Sequence, residues 1–242
     1  MRARRFTAVV LALGIAAGAA ACGGDESVVT VTTDELPTAA ATTTSATPTT
    51  LAAPTTAPEP TTESAPDLTL AQRLPPEDAM PGTNPGTARN MPAASDLTAT
   101  LYSPGDPAQT PAAEALDASG YAGGILRDDT GTDPRNDIAL FRSYVMELGG
   151  DEQAQVEVVR SVKEVQDTAV LDTNSFPVPG IPGASGVSAQ GSQGGQTLAV
   201  VFIAFPAGPY VYGLQAVATS PDAIDADRML SIAQDQYAQA TG

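Results

Sequence analysis

The stretch LAVVFIAFPAGPYVYGLQAVA, Leu198 to Ala218, decides the fold. Leu198 to Phe205 is almost unbroken apolar sequence with Val, Ile and Phe at its centre, which reads as a strand buried on both faces. Pro206-Ala207-Gly208-Pro209 turns the chain, and Tyr210 to Ala218 returns as an antiparallel partner. A strand covered on both faces needs further strands beside it and other elements above and below it. The rest of the sequence is read for these.

Downstream, Ser220 and Pro221 open a helix, with Ser220 as the cap and Pro221 at the first helical position. Asp222, Asp225 and Asp227 favour its positive dipole end. Ala226, Met229, Leu230, Ala233 and Tyr237 form its apolar stripe. Upstream, Gly180 to Gly195 carries six glycines and reads as a mobile loop between strands. Ala169 to Leu171 gives a short strand. Asp151 to Val165 gives a helix whose stripe is Ala154, Val158, Val162 and Val165. Ile138 to Leu148 fits both periods. The alternation of Ile138, Leu140, Tyr144, Met146 and Leu148, followed by a Gly149-Gly150 turn, favours a strand. Tyr121 to Arg127 reads as another strand. Thr110-Pro111 starts a helix that Gly120 ends. Residues 75–96, rich in Pro and Asn, read as an irregular lead-in. The sum is an α+β fold, a mostly antiparallel sheet with about three helices packed on one face, over residues 67–242.

Chemistry-bearing candidates are few. Asp128, Asp129, Asp133 and Asp137 crowd one loop and could offer oxygens to a hard cation. The spacing is not that of an EF-hand, and Arg127 and Arg135 compete for the carboxylates, so a solvated charged turn is the reading taken. Arg142, beside Leu140 and Tyr144, could receive a carboxylate ligand in fork geometry, or else pair with a nearby acid. Tyr210 and Tyr212 share a strand face, with Phe202 placed near them, and could line a pocket or simply pack in the core. Gly183-Ala184-Ser185-Gly186-Val187 falls one glycine short of a nucleophile elbow. A serine nucleophile here would have to recruit Lys163, the chain's single lysine.

The formal net charge is −17, with 28 acidic and 11 basic residues and no histidine. Such a surface repels phosphate backbones and anionic headgroups, which argues against nucleic acid as a partner. Without histidine the commonest general base, metal ligand and pH switch are all missing. No cofactor is called for. There is no tryptophan, and the one cysteine, Cys22, leaves no internal disulfide.

From Pro37 to Pro66, 27 of 30 residues are Thr, Ala, Pro or Ser. That composition cannot bury enough apolar surface to offset the entropy of ordering, so a disordered stalk is expected over residues 22–66. Its 45 residues from Gly23 to Asp67 would reach about 140 Å fully extended, or roughly 40 Å as a coil. Eleven threonines make O-glycosylation plausible. Ahead of the stalk, Arg2, Arg4 and Arg5 precede an apolar run from Phe6 to Gly18, and Ala19-Ala20-Ala21 supplies small residues before Cys22. The run is short of the roughly 20 residues needed to span a bilayer.

That leader resembles the lipobox of bacterial lipoproteins, with Ala19 where the family usually has Leu. The resemblance implies cleavage between Ala21 and Cys22, a signal peptide over residues 1–21 and a lipid on the Cys22 sulfur. With its Lys-poor, Ala-rich usage the chain looks like an actinobacterial cell-envelope lipoprotein held on the extracytoplasmic face of the membrane. The element order is similar to that of PsbP-like and sensor domains of envelope lipoproteins. The expected function is a stalked domain that binds an envelope protein or a small ligand without catalysis. The alternatives are a carboxylate-only enzyme such as a glycan hydrolase, and a passive sensor or spacer.

Overall fold

The computed structural model describes residues 68–132, 138–167, 171–193 and 196–242. The leader, Cys22 and the Thr-rich stretch lie outside them. The decisive hairpin is present as β7 (Gln196–Ala207) and β8 (Tyr210–Ala218). Its turn is tighter than expected. Ala207 pairs with Tyr210, so only Gly208 and Pro209 turn the chain, and Gly208 takes the positive φ of +59° that the bend requires. Pro206 falls inside β7.

Around the hairpin the strands are β1 (Thr83–Asn84), β2 (Arg89–Met91), β3 (Gly123–Gly131), β4 (Ile138–Glu147), β5 (Leu171–Phe176) and β6 (Ser185–Gln193). They form one antiparallel sheet in the order β1-β3-β4-β8-β7-β6-β5, with β2 also on β3. The helices are α1 (Ala94–Leu101), α2 (Gln109–Ala118), α3 (Asp151–Gln166) and α4 (Ala226–Thr241). The α+β class and the antiparallel sheet are as the sequence predicts. Ile138–Glu147 is indeed a strand, and the most central one after the hairpin.

The period of two along β7 explains its unbroken hydrophobicity. Leu198, Val200, Phe202 and Ala204 face α1, α2 and α3, whose Leu97, Leu116, Ala154, Val158 and Val162 complete that layer. Val201, Ile203 and Phe205 face the opposite way, against Met229, Ile232 and Ala233 of α4. Three helices therefore share one face. The trio includes α1, which starts inside the expected lead-in and is not among the helices the sequence predicts, whereas α4 covers the other face.

The sequence and the structure differ in several places. The lead-in holds β1, β2 and the start of α1. Its signal is weak because Ala93 cannot cap α1, and Asp96 instead reaches back to the Ala93 N–H at 3.2 Å. The 185–193 part of the glycine-rich stretch is strand, not loop, bonded on both sides to β5 and β7. Gly186 is needed there because the Phe176 ring lies over it. The strand expected at 169–171 runs from Leu171 to Phe176, with 168–170 outside the described residues. The strand expected from Tyr121 begins at Gly123. The helix expected at Thr110 begins at Gln109, while Gly120, φ +74°, ends it with the Tyr121 N–H donating to the Leu116 carbonyl. Ser220-Pro221 makes a single 3-10 turn that seats Ile224 in the core. α4 then starts afresh from Asp225, whose side chain accepts from the Arg228 N–H at 3.0 Å, and Ala226 is exposed.

Candidate functional site

α3 carries a second, polar series beside its apolar stripe. Glu157, Arg160, Ser161 and Glu164 recur at spacings of three and four, so they stand on one face, turned toward the sheet and α1. Glu157 is only 2 % exposed. Arg160 forks onto it with two 2.7 Å bonds, from Nε and from Nη2, and its Nη1 reaches Glu164 at 3.2 Å. The Ser161 hydroxyl donates to Glu157 at 3.0 Å. Just past α1, Tyr102 lies against Glu164. From β4, Tyr144 lies against Ser161.

These groups form one wall of a cavity of about 140 Å³ between α1, α3 and the sheet. The remaining wall is apolar, built from Leu101, Leu140, Leu198, Val200, Phe202 and Val217, with Arg142 and Gln215 at one side. Leu101, Tyr102, Leu140, Val165, Gln215 and Val217 are half-buried and mark its open side. The volume is close to the roughly 150 Å³ of an apolar cavity that accepts benzene. The polar wall has perturbed acidity. Burial, followed by the Glu164 charge, pushes the Tyr102 hydroxyl well above the ordinary tyrosine range, and burial does the same to Tyr144. Burial also raises Glu164. Tyr102 and Arg160 pull it back, whereas Glu157 and Asp106 push it further up. Burial opposes the charge on Arg160, but the bonds to Glu157 outweigh it and hold the guanidinium protonated.

No family model matches the chain, and no curated protein matches it. Among solved structures, the extracellular domain of PknH from Mycobacterium tuberculosis is similar at 13% identity and a TM-score of 0.44. The likeness covers 66% of this chain and 84% of that one.

The expected site residues scatter. Ala21 and Cys22 lie outside the described residues, as do Asp133 and Asp137. Asp128 and Asp129 are neighbours on β3, so they point to opposite faces. Asp128 accepts from Arg142 at 2.6 and 3.2 Å and from Arg89 at 2.9 Å. Asp129, 1 % exposed, accepts from Arg127 at 2.9 Å and from the Gly86 N–H at 2.9 Å. The two carboxylates do not converge, and no cluster of three His, Cys, Asp or Glu suited to a metal occurs among the described residues. Arg142 does reach the cavity, but its fork is filled by Asp128, the pairing weighed against the ligand role.

Tyr210 and Tyr212 stand on the α4 face, away from the cavity. Tyr212 is fully buried, stacked on Phe205 with ring centres 4.7 Å apart, and its hydroxyl accepts from Arg73 at 2.8 Å. Arg73 also lies 3.8 Å over the Tyr210 ring. The pair is core packing. Phe202 is not near them, because an even-numbered residue of β7 faces α3 while Phe205 faces α4. Ser185 sits in the β6 ladder rather than on a strand-to-helix elbow, and Lys163 pairs with Asp167 in solvent at 2.6 Å. A second hollow, about 490 Å³, is lined by Leu74, Glu77, Gly86 and Arg127. Its guanidinium is already held by Asp129 and the Pro76 carbonyl.

The three- and four-residue spacing of Glu157, Arg160 and Glu164 stands in the sequence, but spacing alone does not separate a buried series from solvent pairs. Only the burial of Glu157 turns it into a cavity wall. Tyr102 and Asp106 carry no periodic signal at all.

Proposed function

We propose that the chain is a stalked extracytoplasmic domain that binds a small ligand without chemistry on it, held at the membrane through Cys22. The observation that carries the binding reading is the cavity on the α1–α3 face, with an apolar floor, a polar wall on α3, and Arg142 and Gln215 at one side. Small-molecule sites combine these two features, with apolar surface for affinity and a few fixed polar groups for orientation. The non-catalytic reading rests on the state of the carboxylates. A glycan hydrolase needs two that flank an open cleft, one to donate a proton and one to attack or activate water. Here Glu157 and Glu164 both grip the same guanidinium. The anchor rests on the leader's resemblance to a lipobox. Among the described residues no helix is long and apolar enough to cross a membrane.

The test is a thermal-shift screen of small molecules against the full chain and against Val217→Trp, which places an indole at the open side of the cavity. Compounds that stabilise the parent and not the variant support the reading. Compounds that stabilise both equally bind elsewhere and refute this cavity as the site.

A further inference from the structure

Resting on the cavity reading, we infer that the ligand is uncharged, an apolar body of about benzyl size whose polar group is a neutral hydroxyl or carbonyl received at Gln215. The size follows from the volume, about 140 Å³, and from the apolar floor of Leu198, Val200, Phe202 and Val217. The lack of charge follows from the ionic groups of the lining, each of which is already engaged by another residue.

Four charged residues line the cavity, Glu157 and Glu164 with Arg142 and Arg160, so the lining sums to zero. The balance is local as well as total. Both oxygens of Glu157 accept from Arg160 at 2.7 Å, and Ser161 adds a third bond. Arg160 turns its Nη1 to Glu164, which Tyr102 also faces. On the sheet, Arg142 directs Nε and Nη2 at the two oxygens of Asp128, at 2.6 and 3.2 Å. That is the edge a ligand carboxylate would need. Arg89 shares Asp128 from outside the lining, with a side chain 49 % exposed, so water and salt screen its charge. A charged ligand would have to break one of these pairs, or give up hydration against the apolar floor without a counter-charge. The same holds for a ligand that carries both charges. An uncharged one does neither.

Gln215 is different. In the strand register it stands between Arg142 of β4 and Phe202 of β7, half-buried on the cavity side of β8. Its side-chain amide has no hydrogen-bond partner among the described residues. An amide offers both a donor and an acceptor without charge, which suits a neutral hydroxyl or carbonyl.

The experiment is titration calorimetry of the full chain at neutral pH with benzyl alcohol, benzylamine, benzoate and phenylglycine. These present one ring with no charge, a positive charge, a negative charge or both. The alcohol should bind tightest, with each charged compound weaker by about tenfold, near the low end of the cost of burying a polar group without a partner. Val217→Trp should abolish alcohol binding. Gln215→Leu should weaken it about fivefold, the weight of one neutral hydrogen bond. Asp128→Asn, which frees the Arg142 fork, should raise benzoate relative to the alcohol. If a charged compound binds as well as the alcohol and Val217→Trp blocks both, the uncharged inference falls and the cavity reading stands. If Asp128→Asn leaves the ratio of benzoate to alcohol unchanged, filled ion pairs are not what excludes charge, and the inference falls with that premise. If Gln215→Leu leaves the alcohol unchanged, the assignment of the polar contact is overturned. If none of the four binds, or the alcohol binds Val217→Trp as well as the parent, the cavity reading fails and takes the inference with it.

Discussion

Arg160→Met tests the polar wall most directly. Glu157 is 2 % exposed and receives its two shortest bonds from Arg160, so the substitution leaves a buried carboxylate to which, among the described residues, only the Ser161 hydroxyl donates. Breaking a buried ion pair from one side costs about 3–5 kcal/mol. Arg160's own side chain is 32 % exposed, which lets water reach the site and puts the expectation near the lower end, about 3 kcal/mol. With a urea m-value of about 2 kcal/mol/M, that is a fall in the unfolding midpoint of about 1.5 M with m unchanged. The double variant Glu157→Leu/Arg160→Met removes both charges. It should recover most of the loss, because replacing a buried pair with apolar groups is often neutral or stabilising. The assay is equilibrium urea unfolding of the parent, both single variants and the double. A single-variant loss below about 1 kcal/mol, or a double variant as unstable as the two singles summed, would show that Glu157 is not buried against Arg160 as described.

Gly213→Ala should cost about 1–3 kcal/mol, since the Tyr144 ring lies directly over Gly213 and a methyl group there would overlap it. Chemical denaturation checks this, and Tyr144→Ala in the same chain should relieve the clash at the expense of a cavity. Glu164→Gln should change stability in a pH-dependent way. An acid whose folded value is raised holds its proton more tightly in the folded state, so its ionisation costs stability as pH rises from the ordinary glutamate range through the raised one. The variant should therefore melt higher than the parent at pH 7 and match it in the acid range, and equal melting temperatures at both would refute the burial effect on Glu164. Cys22→Ala should abolish incorporation of a fatty-acid label and release the protein from the membrane fraction. Retention of label on the variant would remove the anchor reading.

Much of the fold was legible because local patterns and tertiary demands agree. The run from Leu198 to Phe205 can satisfy its apolar side chains only between two covering layers, and the Gly208-Pro209 bend fixes its partner strand. The α3 stripe at Ala154, Val158 and Val162 is buried as its spacing requires. Where the pattern failed, a tertiary contact supplied what the local sequence lacks. β6 is rich in Gly, Ser and Gln, a poor strand sequence by propensity, yet two neighbouring strands fill its hydrogen bonds. α1 has no capping side chain at Ala93. The Ser220 start was displaced because Ile224 is drawn into the core.

The sequence by itself determined the elements whose signal is periodic or compositional. These are the central hairpin, α3, the sheet strand at Ile138–Glu147, the acidic balance, and the expectation of a leader and stalk ahead of the fold. Only the tertiary structure decided which charges are buried. Arg142 reads alike as a ligand fork or an ion-pair partner until strand register sets it across from Asp128. Glu157 reads as a surface glutamate until α3 lies on the sheet. Asp106 gains meaning only from the chain that folds over it. Periodicity reports which face a side chain takes, because it follows from backbone geometry. The state of a charge depends on the dielectric and the partners brought from tens of residues away, and no local pattern encodes those.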